Sequence, residues 1–201
     1  MTIYCYDTEF LEDGRTIDLI SIGIVCEDGR EYYAVNADAD WDRIRENDWL
    51  MENVVVHLPT HSTGLVKRRT GFGERGWRWG GINMRDSQVK PKWVIANEVR
   101  DFLLARPNGT GGGEWQPHPQ LWAYYAAYDH VALAQLWGRM ISLPKGIPMW
   151  TNDLQQELVR RGRKTPPSPT DEHNALADAR WVLRALDGGY AAAADHAERD
   201  Q

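Results

Sequence analysis

The first 36 residues constrain the fold more tightly than any other part of the chain, because they hold three β-type runs separated by two turn signals. Residues 3–7 (Ile-Tyr-Cys-Tyr-Asp) are an apolar run of strand length, and Glu12-Asp13-Gly14-Arg15 reads as a turn. Residues 17–25 (Ile-Asp-Leu-Ile-Ser-Ile-Gly-Ile-Val) are dominated by β-branched side chains, which suit a pleated surface. Asp28-Gly29 supplies a hairpin signal, and residues 31–35 answer as a third strand. The chain therefore opens as a three-stranded antiparallel meander. Gly23, inside the second run, omits a side chain where a bulge or a second backbone would come close.

Downstream, helical and extended patterns alternate. Residues 40–51 have helical character around Trp41, Ile44 and Trp49, whereas no period persists over 59–92. Residues 93–104 return to helix with Ile95, Val99, Phe102 and Leu103 on one face, and the Gly-rich stretch 107–113 ends it. Residues 121–125 match a buried parallel strand, and 129–140 a helix with Leu133, Leu136, Trp137 and Met140 inward. Residues 148–150 form a short strand candidate, and Asn152 or Asp153 is placed to cap a helix through Leu158 and Val159. Pro166-Pro167-Ser168-Pro169 is a stiff linker, residues 175–186 a helix ended by Gly188-Gly189, and the Ala-rich tail from Tyr190 a loosely held last helix. Three antiparallel strands followed by alternating helices and strands imply an α/β fold. The expected architecture is one domain over 1–201, with a mixed sheet and helices on both faces.

Apolar residues make up 42% and charged residues 26% of the 201, which excludes a disordered chain. No apolar run reaches the length of a membrane span, and the N-terminus has no signal-peptide pattern. Cys5 and Cys26 sit in strand-like apolar runs as free thiols, which fits a reducing cytoplasm. The net charge of −6 is uneven: residues 57–92 carry eight Lys/Arg against two acids, a net +6 that leaves −12 on the rest. An acidic body with one basic, Gly/Arg/Trp-rich strip suits a carboxylate site beside a polyanion path; a solvated loop has the same composition. Within the strip, Trp77-Arg78-Trp79 reads either as a nucleic-acid clamp or as a packed loop or subunit contact. Arg160-Arg161-Gly162-Arg163-Lys164 reads as solvated surface.

Asp7 and Glu9 are two apart, so on a strand they project from one face and can close on one hard cation such as Mg²⁺. Alone, the pair is equally a strand with solvated acids. Tyr128-Asp129-His130 adds an acid at a strand-to-helix junction, and His173-Asn174-Ala175-Leu176-Ala177-Asp178 sets a His five residues before an Asp at a helix start. Each is common by itself; the order Asp-x-Glu, then Asp, then His-x₄-Asp is not.

In that order, and in Ile20-Ser21-Ile22-Gly23 on the second strand, the chain resembles the DEDD superfamily of 3′-to-5′ exonucleases. The likeness is to the His-bearing DEDDh branch on the ribonuclease H-like fold, and around Asp7-Thr8-Glu9-Phe10 to the small bacterial polyadenylate-specific 3′-exoribonucleases. Two departures stand out. Tyr125 occupies the place, four residues before Asp129, where the family often has Asn, and the long basic insertion is not a general family feature.

The resemblance implies that Asp7, Glu9, Asp129 and Asp178 cage two Mg²⁺ ions, with Mn²⁺ able to substitute. Two ions ~4 Å apart serve phosphodiester hydrolysis by activating water and supporting the leaving oxygen. Four crowded carboxylates repel strongly without metal. His173 would be the general base, since imidazole titrates near neutrality, at about 6.5. His130 is the competitor; adjacent residues at a helix start diverge by ~100°, which would turn it away from the ions. Phe10, Tyr128 and Trp150 are the candidates for contact with bases, Tyr128 and Trp150 being equally plausible as core. The implied substrate is single-stranded RNA or an RNA 3′ overhang, the product a nucleoside 5′-monophosphate, and the assembly a homodimer. The alternatives are a 3′–5′ exodeoxyribonuclease of the same fold and a catalytically inactive RNA-binding module.

Overall fold

The three N-terminal runs pair as their turn signals require. A computed structural model describes residues 1–61, 66–69, 75–106 and 118–188. Strands β1 (Thr2–Glu12), β2 (Ile17–Cys26) and β3 (Glu31–Asn36) form the antiparallel meander, with Asp7 opposite Gly23 and Glu9 opposite Ser21. β1 is longer than the 3–7 run suggested, because Phe10 and Leu11 continue the strand and find partners in Leu19 and Asp18. The two carboxylates therefore sit in mid-strand rather than at its end. The register shifts between Glu9 and Phe10, where Ile20 is skipped in the pairing, as in a β-bulge.

Helices α1 (Trp41–Glu46) and α2 (Asp48–Asn53) replace the single helix expected over 40–51. The break is Asn47, whose backbone N–H closes α1 on Ile44 and whose side chain accepts from the Leu50 N–H to start α2. The segment 59–92 is not irregular throughout. It contains an antiparallel pair, β4 (Val66–Arg69) with β5 (Arg75–Arg78), and the short β6 (Val89–Lys90) that joins β3 in parallel. Helix α3 (Lys92–Leu104) follows, burying Ile95, Ala96, Val99 and Leu103.

Strand β7 (Pro119–Ala123) pairs in parallel with β1 and stops two residues before the expected end, because Tyr125 takes a positive φ of 55°. Helix α4 (Ala127–Ala134) is shorter than 129–140: it gives way to 3₁₀ turns at 135–137 and 140–142, separated by Gly138 at φ 79°. Met140 is consequently exposed instead of inward. Residues 148–150 form no strand. The ladder instead resumes at β8 (Asn152–Asp153), beside β7, and Asp153 caps α5 (Leu154–Arg160) by accepting from the Gln156 N–H. Helix α6 (Ala175–Asp187) ends on Gly188 in the left-handed conformation. The expected helix from Tyr190 and the break at 107–113 lie outside the described residues.

The six-stranded sheet runs β6-β3-β2-β1-β7-β8, antiparallel at its centre and parallel at both flanks, with helices on both faces. This is the mixed-sheet α/β architecture expected from the sequence and consistent with a ribonuclease H-like fold. One face packs Tyr4, Tyr6, Ile22 and Ile24 against α3 and α4; the other packs Cys5 against Leu154, Leu158, Trp181 and Val182 of α5 and α6. Both cysteines are buried and free. The Trp181 Nε1 donates to the Pro167 carbonyl at 2.7 Å and so ties the Pro-rich linker to the core. A third cluster joins Leu11, Ile20 and Val35 to Ile44, Leu50 and Met51, seating α1 and α2.

Candidate active site

Gly23 decides how close α6 comes to the sheet. A Cβ there would lie 2.3 Å from the Leu176 N and 2.4 Å from the Ala175 carbonyl, so only glycine admits the first turn of α6 against β2. That turn carries Asp178. Its carboxylate meets those of Asp7 and Glu9, one oxygen of each lying within 4.8 Å of the others. Asp129 enters from the first turn of α4 and is buried; its Oδ1 accepts from both the backbone N–H (2.9 Å) and the hydroxyl (2.7 Å) of Thr8. Asp129 thus lines the same cleft but stands outside the three-carboxylate cluster, with one oxygen committed to Thr8.

His173 precedes α6 with a positive φ of 69°, unusual for a side chain with a Cβ. Its backbone N–H donates to Asp178 Oδ2 at 2.8 Å, and Asn174 caps the helix by accepting from the Ala177 N–H. The ring of Trp49 stands edge-on to the imidazole, centroids 4.8 Å apart at 73°.

All four carboxyls are pushed above the usual range. Burial leads in each case: Asp7 is raised well up and Glu9 to about 8, both also by the neighbouring acids of the site, while Asp129 is raised to about 6 with a smaller push from Asp153 and Asp178 to about 6 with smaller pushes from Glu172 and Asp129. The Thr8 bonds pull Asp129 back, as does the His173 N–H for Asp178. Among the described residues no lysine or arginine lines the cleft, so no cationic Lys or Arg in its wall offsets this charge. Oxygen donors at this spacing, without a resident countercharge, fit a hard divalent cation.

The cleft is about 280 Å³, and aromatic side chains form its other wall. Phe10 and Tyr128 stack with centroids 6.0 Å apart and planes 13° from parallel, and Tyr128 is exposed. Trp49, Tyr124 and Tyr125 also line it. Trp49 faces out, because Leu50 and Met51 take the buried side of α2. The break at Asn47 was the signal that resets this phase. Tyr125 adopts a left-handed conformation that asparagine tolerates better than most residues, a physical reason for the family's common Asn at this place.

Other expected residues lie elsewhere. Trp150 is exposed but lines a separate hollow with His118, Gln120 and Ile147, away from the carboxylates. His130 turns from the cluster, its Nδ1 pairing with the Thr151 hydroxyl at 3.0 Å, which also meets the Tyr6 hydroxyl at 2.6 Å. Trp77 is no clamp. It is buried, its Nε1 donates to Asp48 Oδ1 at 2.8 Å, and Trp79 packs on Trp41, so the packed-loop alternative holds for both tryptophans. The side chains of Lys67, Arg68 and Arg69 lie outside those described. Arg160 and Arg161 engage Glu157, Arg160 being a solvated ion pair.

A family model for the 3′-5′ exoribonuclease Rv2179c-like domain matches residues 2–188. The chain belongs to that family. Two curated relatives agree: the 3′-5′ exoribonuclease Rv2179c of Mycobacterium tuberculosis strain H37Rv and the 3′-5′ exoribonuclease MT2234.1 of strain CDC 1551. Each is 42% identical over 182 residues, covering 90% of this chain and 89% of the relative. Membership in a 3′-5′ exoribonuclease family bears out the reading of the chain as an enzyme of that class, and the Asp7, Glu9, Asp129, Asp178 and His173 arrangement is compatible with the His-bearing branch.

Proposed function

We propose that the chain removes nucleoside 5′-monophosphates from RNA 3′ ends and depends on divalent cations. The observation that carries the reading is the cluster of Asp7, Glu9 and Asp178 carboxylates facing His173 in a cleft with an aromatic wall. Asp7, Glu9, Asp178 and the other oxygen of Asp129 would hold Mg²⁺, two ions being the expected number and Mn²⁺ an effective replacement. When bound, the cation neutralises the scissile phosphate and lowers the cost of forming the nucleophile and the leaving oxygen.

The chain's own residues do the rest. His173 accepts the proton of the attacking water at an imidazole nitrogen, while the Asp178 bond to its backbone and the Trp49 ring fix where the imidazole stands. The water oxygen bonds to phosphorus, the bond from phosphorus to the 3′-oxygen of the preceding nucleotide breaks, and that oxygen takes a proton from solvent to leave as a hydroxyl, while His173 returns its proton to solvent. Phe10 and Tyr128, already stacked, offer a platform for the terminal base. Trp150 is not part of this platform, since it lines another hollow. The homodimer belongs to the proposal through the exposed Met140, Ile141, Met149 and Trp150, and a reducing cytoplasm through the buried free thiols.

End-labelled RNA and DNA oligomers, single-stranded and with 3′ overhangs, assayed with Mg²⁺, Mn²⁺ or EDTA, test the reading. RNA shortened from its 3′ end with either ion and not in EDTA is expected. Faster shortening of DNA would favour the deoxyribonuclease alternative, and intact RNA in every arm would leave only a binding module.

A further inference from the structure

Behind Glu9 the fold buries two hydroxyls that it does not use. Ser21 Oγ and Tyr33 Oη are both shielded from solvent, and neither meets a hydrogen-bond partner among the described residues. They neighbour each other, yet outside bonding geometry. Ser21 is wholly excluded from solvent, among Ile20, Ile22 and Val35 on adjacent positions, where alanine would fill the space without an idle polar atom. A buried hydroxyl left without a partner is costly, so its presence asks for a partner that arrives later.

The strand register names that partner. Ser21 is directly opposite Glu9, and residues so paired share one face with Cβ atoms about 4.5–5.5 Å apart. Tyr33, opposite Gly23 on β3, lies on the same face one diagonal step away. Burial and then the Glu9 carboxylate raise its phenol to about 12, against a lowering by Ser21. The bulge at Ile20 falls beside this pair, at a position where bulges re-aim side chains toward functional sites.

We propose that Ser21, backed by Tyr33, positions Glu9 for a divalent cation. The phenol donates to Ser21 Oγ, and the serine hydroxyl donates to a Glu9 carboxylate oxygen, holding the side chain in one rotamer as it ligates. The inference rests on the metal-dependent reading above. Groups that hydrogen-bond a ligating carboxylate set metal affinity, and their loss costs about 10- to 100-fold.

The test is calorimetric titration of Mn²⁺ into wild type, Ser21→Ala and Tyr33→Phe without RNA, with the metal-free Tm of each. Ser21→Ala is expected to bind Mn²⁺ about 10- to 100-fold more weakly. Tyr33→Phe should lose affinity by a smaller factor, and the metal-free Tm of both should be unchanged or raised. These opposite signs separate positioning from support of the fold. Wild-type affinity in both variants would overturn the proposal, as would a metal-free Tm that falls in step with affinity. A wild-type protein that takes up no Mn²⁺ would instead overturn the reading on which it rests.

Discussion

Replacing Gly23 by alanine tests whether the approach of α6 to the sheet sets the geometry of the cleft. The added methyl would meet the Leu176 N at 2.3 Å and the Ala175 carbonyl carbon and oxygen at 2.4 Å, against an ordinary contact of 3.4–4 Å. All three atoms are backbone, so no rotamer change relieves the overlap. The first turn of α6 must retreat by about 1 Å, and it carries Asp178 and is preceded by His173. Overpacking of this size costs about 1–3 kcal/mol, well within what a folded domain tolerates. A 1 Å misplacement at the reacting groups costs about 10²-fold in rate. With saturating metal and 5′-labelled RNA, kcat should therefore fall about 10²-fold while the far-UV spectrum stays native. Gly76→Ala, whose Cβ would meet nothing within 4 Å among the described residues, is the control and should leave kcat unchanged. A Gly23→Ala enzyme with the wild-type rate would refute the argument.

Asp7→Asn and Asp178→Asn should each abolish cleavage with the fold retained, checked by product release and thermal melting, because each removes a carboxylate from the cluster. His173→Ala should cut kcat by about 10²- to 10⁴-fold and leave Mn²⁺ affinity near wild type, the pattern of a lost proton acceptor rather than a lost ligand. For stability against pH, the folded pKa of Glu9 is raised to about 8 and those of Asp129 and Asp178 to about 6. At these sites the folded state therefore binds more protons than the unfolded one, so their contribution to the stability of the metal-free protein should be full near pH 4 and be lost as pH rises to about 8. Melting curves with and without Mg²⁺ should show the ion restoring more at pH 8 than at pH 5.

The N-terminal meander was legible because β-branched runs and Asp-Gly turns are local signals that the structure has no reason to override. Gly23 could be read as a close approach, but not what approached it, since Ala175 and Leu176 lie about 150 residues downstream. The four acids and His173 could be named from their order along the chain. Their distances could not, and Asp129 proves to be held by Thr8, a residue that no motif marks. Residues 40–51 were read as one helix because Trp41, Ile44 and Trp49 carry its character, whereas Asn47 ends α1 and caps α2. Trp77 was ambiguous because a tryptophan in a basic strip suits a clamp and a core alike; only its bond to Asp48 and its burial distinguish them. Residues 135–140 were read as helix because Leu133, Leu136 and Trp137 keep its spacing until Gly138 breaks it.

On the proposed function, the Asp7, Glu9 and Asp178 cluster is where a divalent cation works on RNA. Crystals soaked in Mn²⁺ with nucleoside 5′-monophosphate, measured for anomalous scattering, test it directly. Manganese density is expected bounded by these three carboxylates, with the product phosphate against it and the base beside Phe10 and Tyr128. A cleft free of manganese at concentrations that sustain cleavage in solution would contradict it.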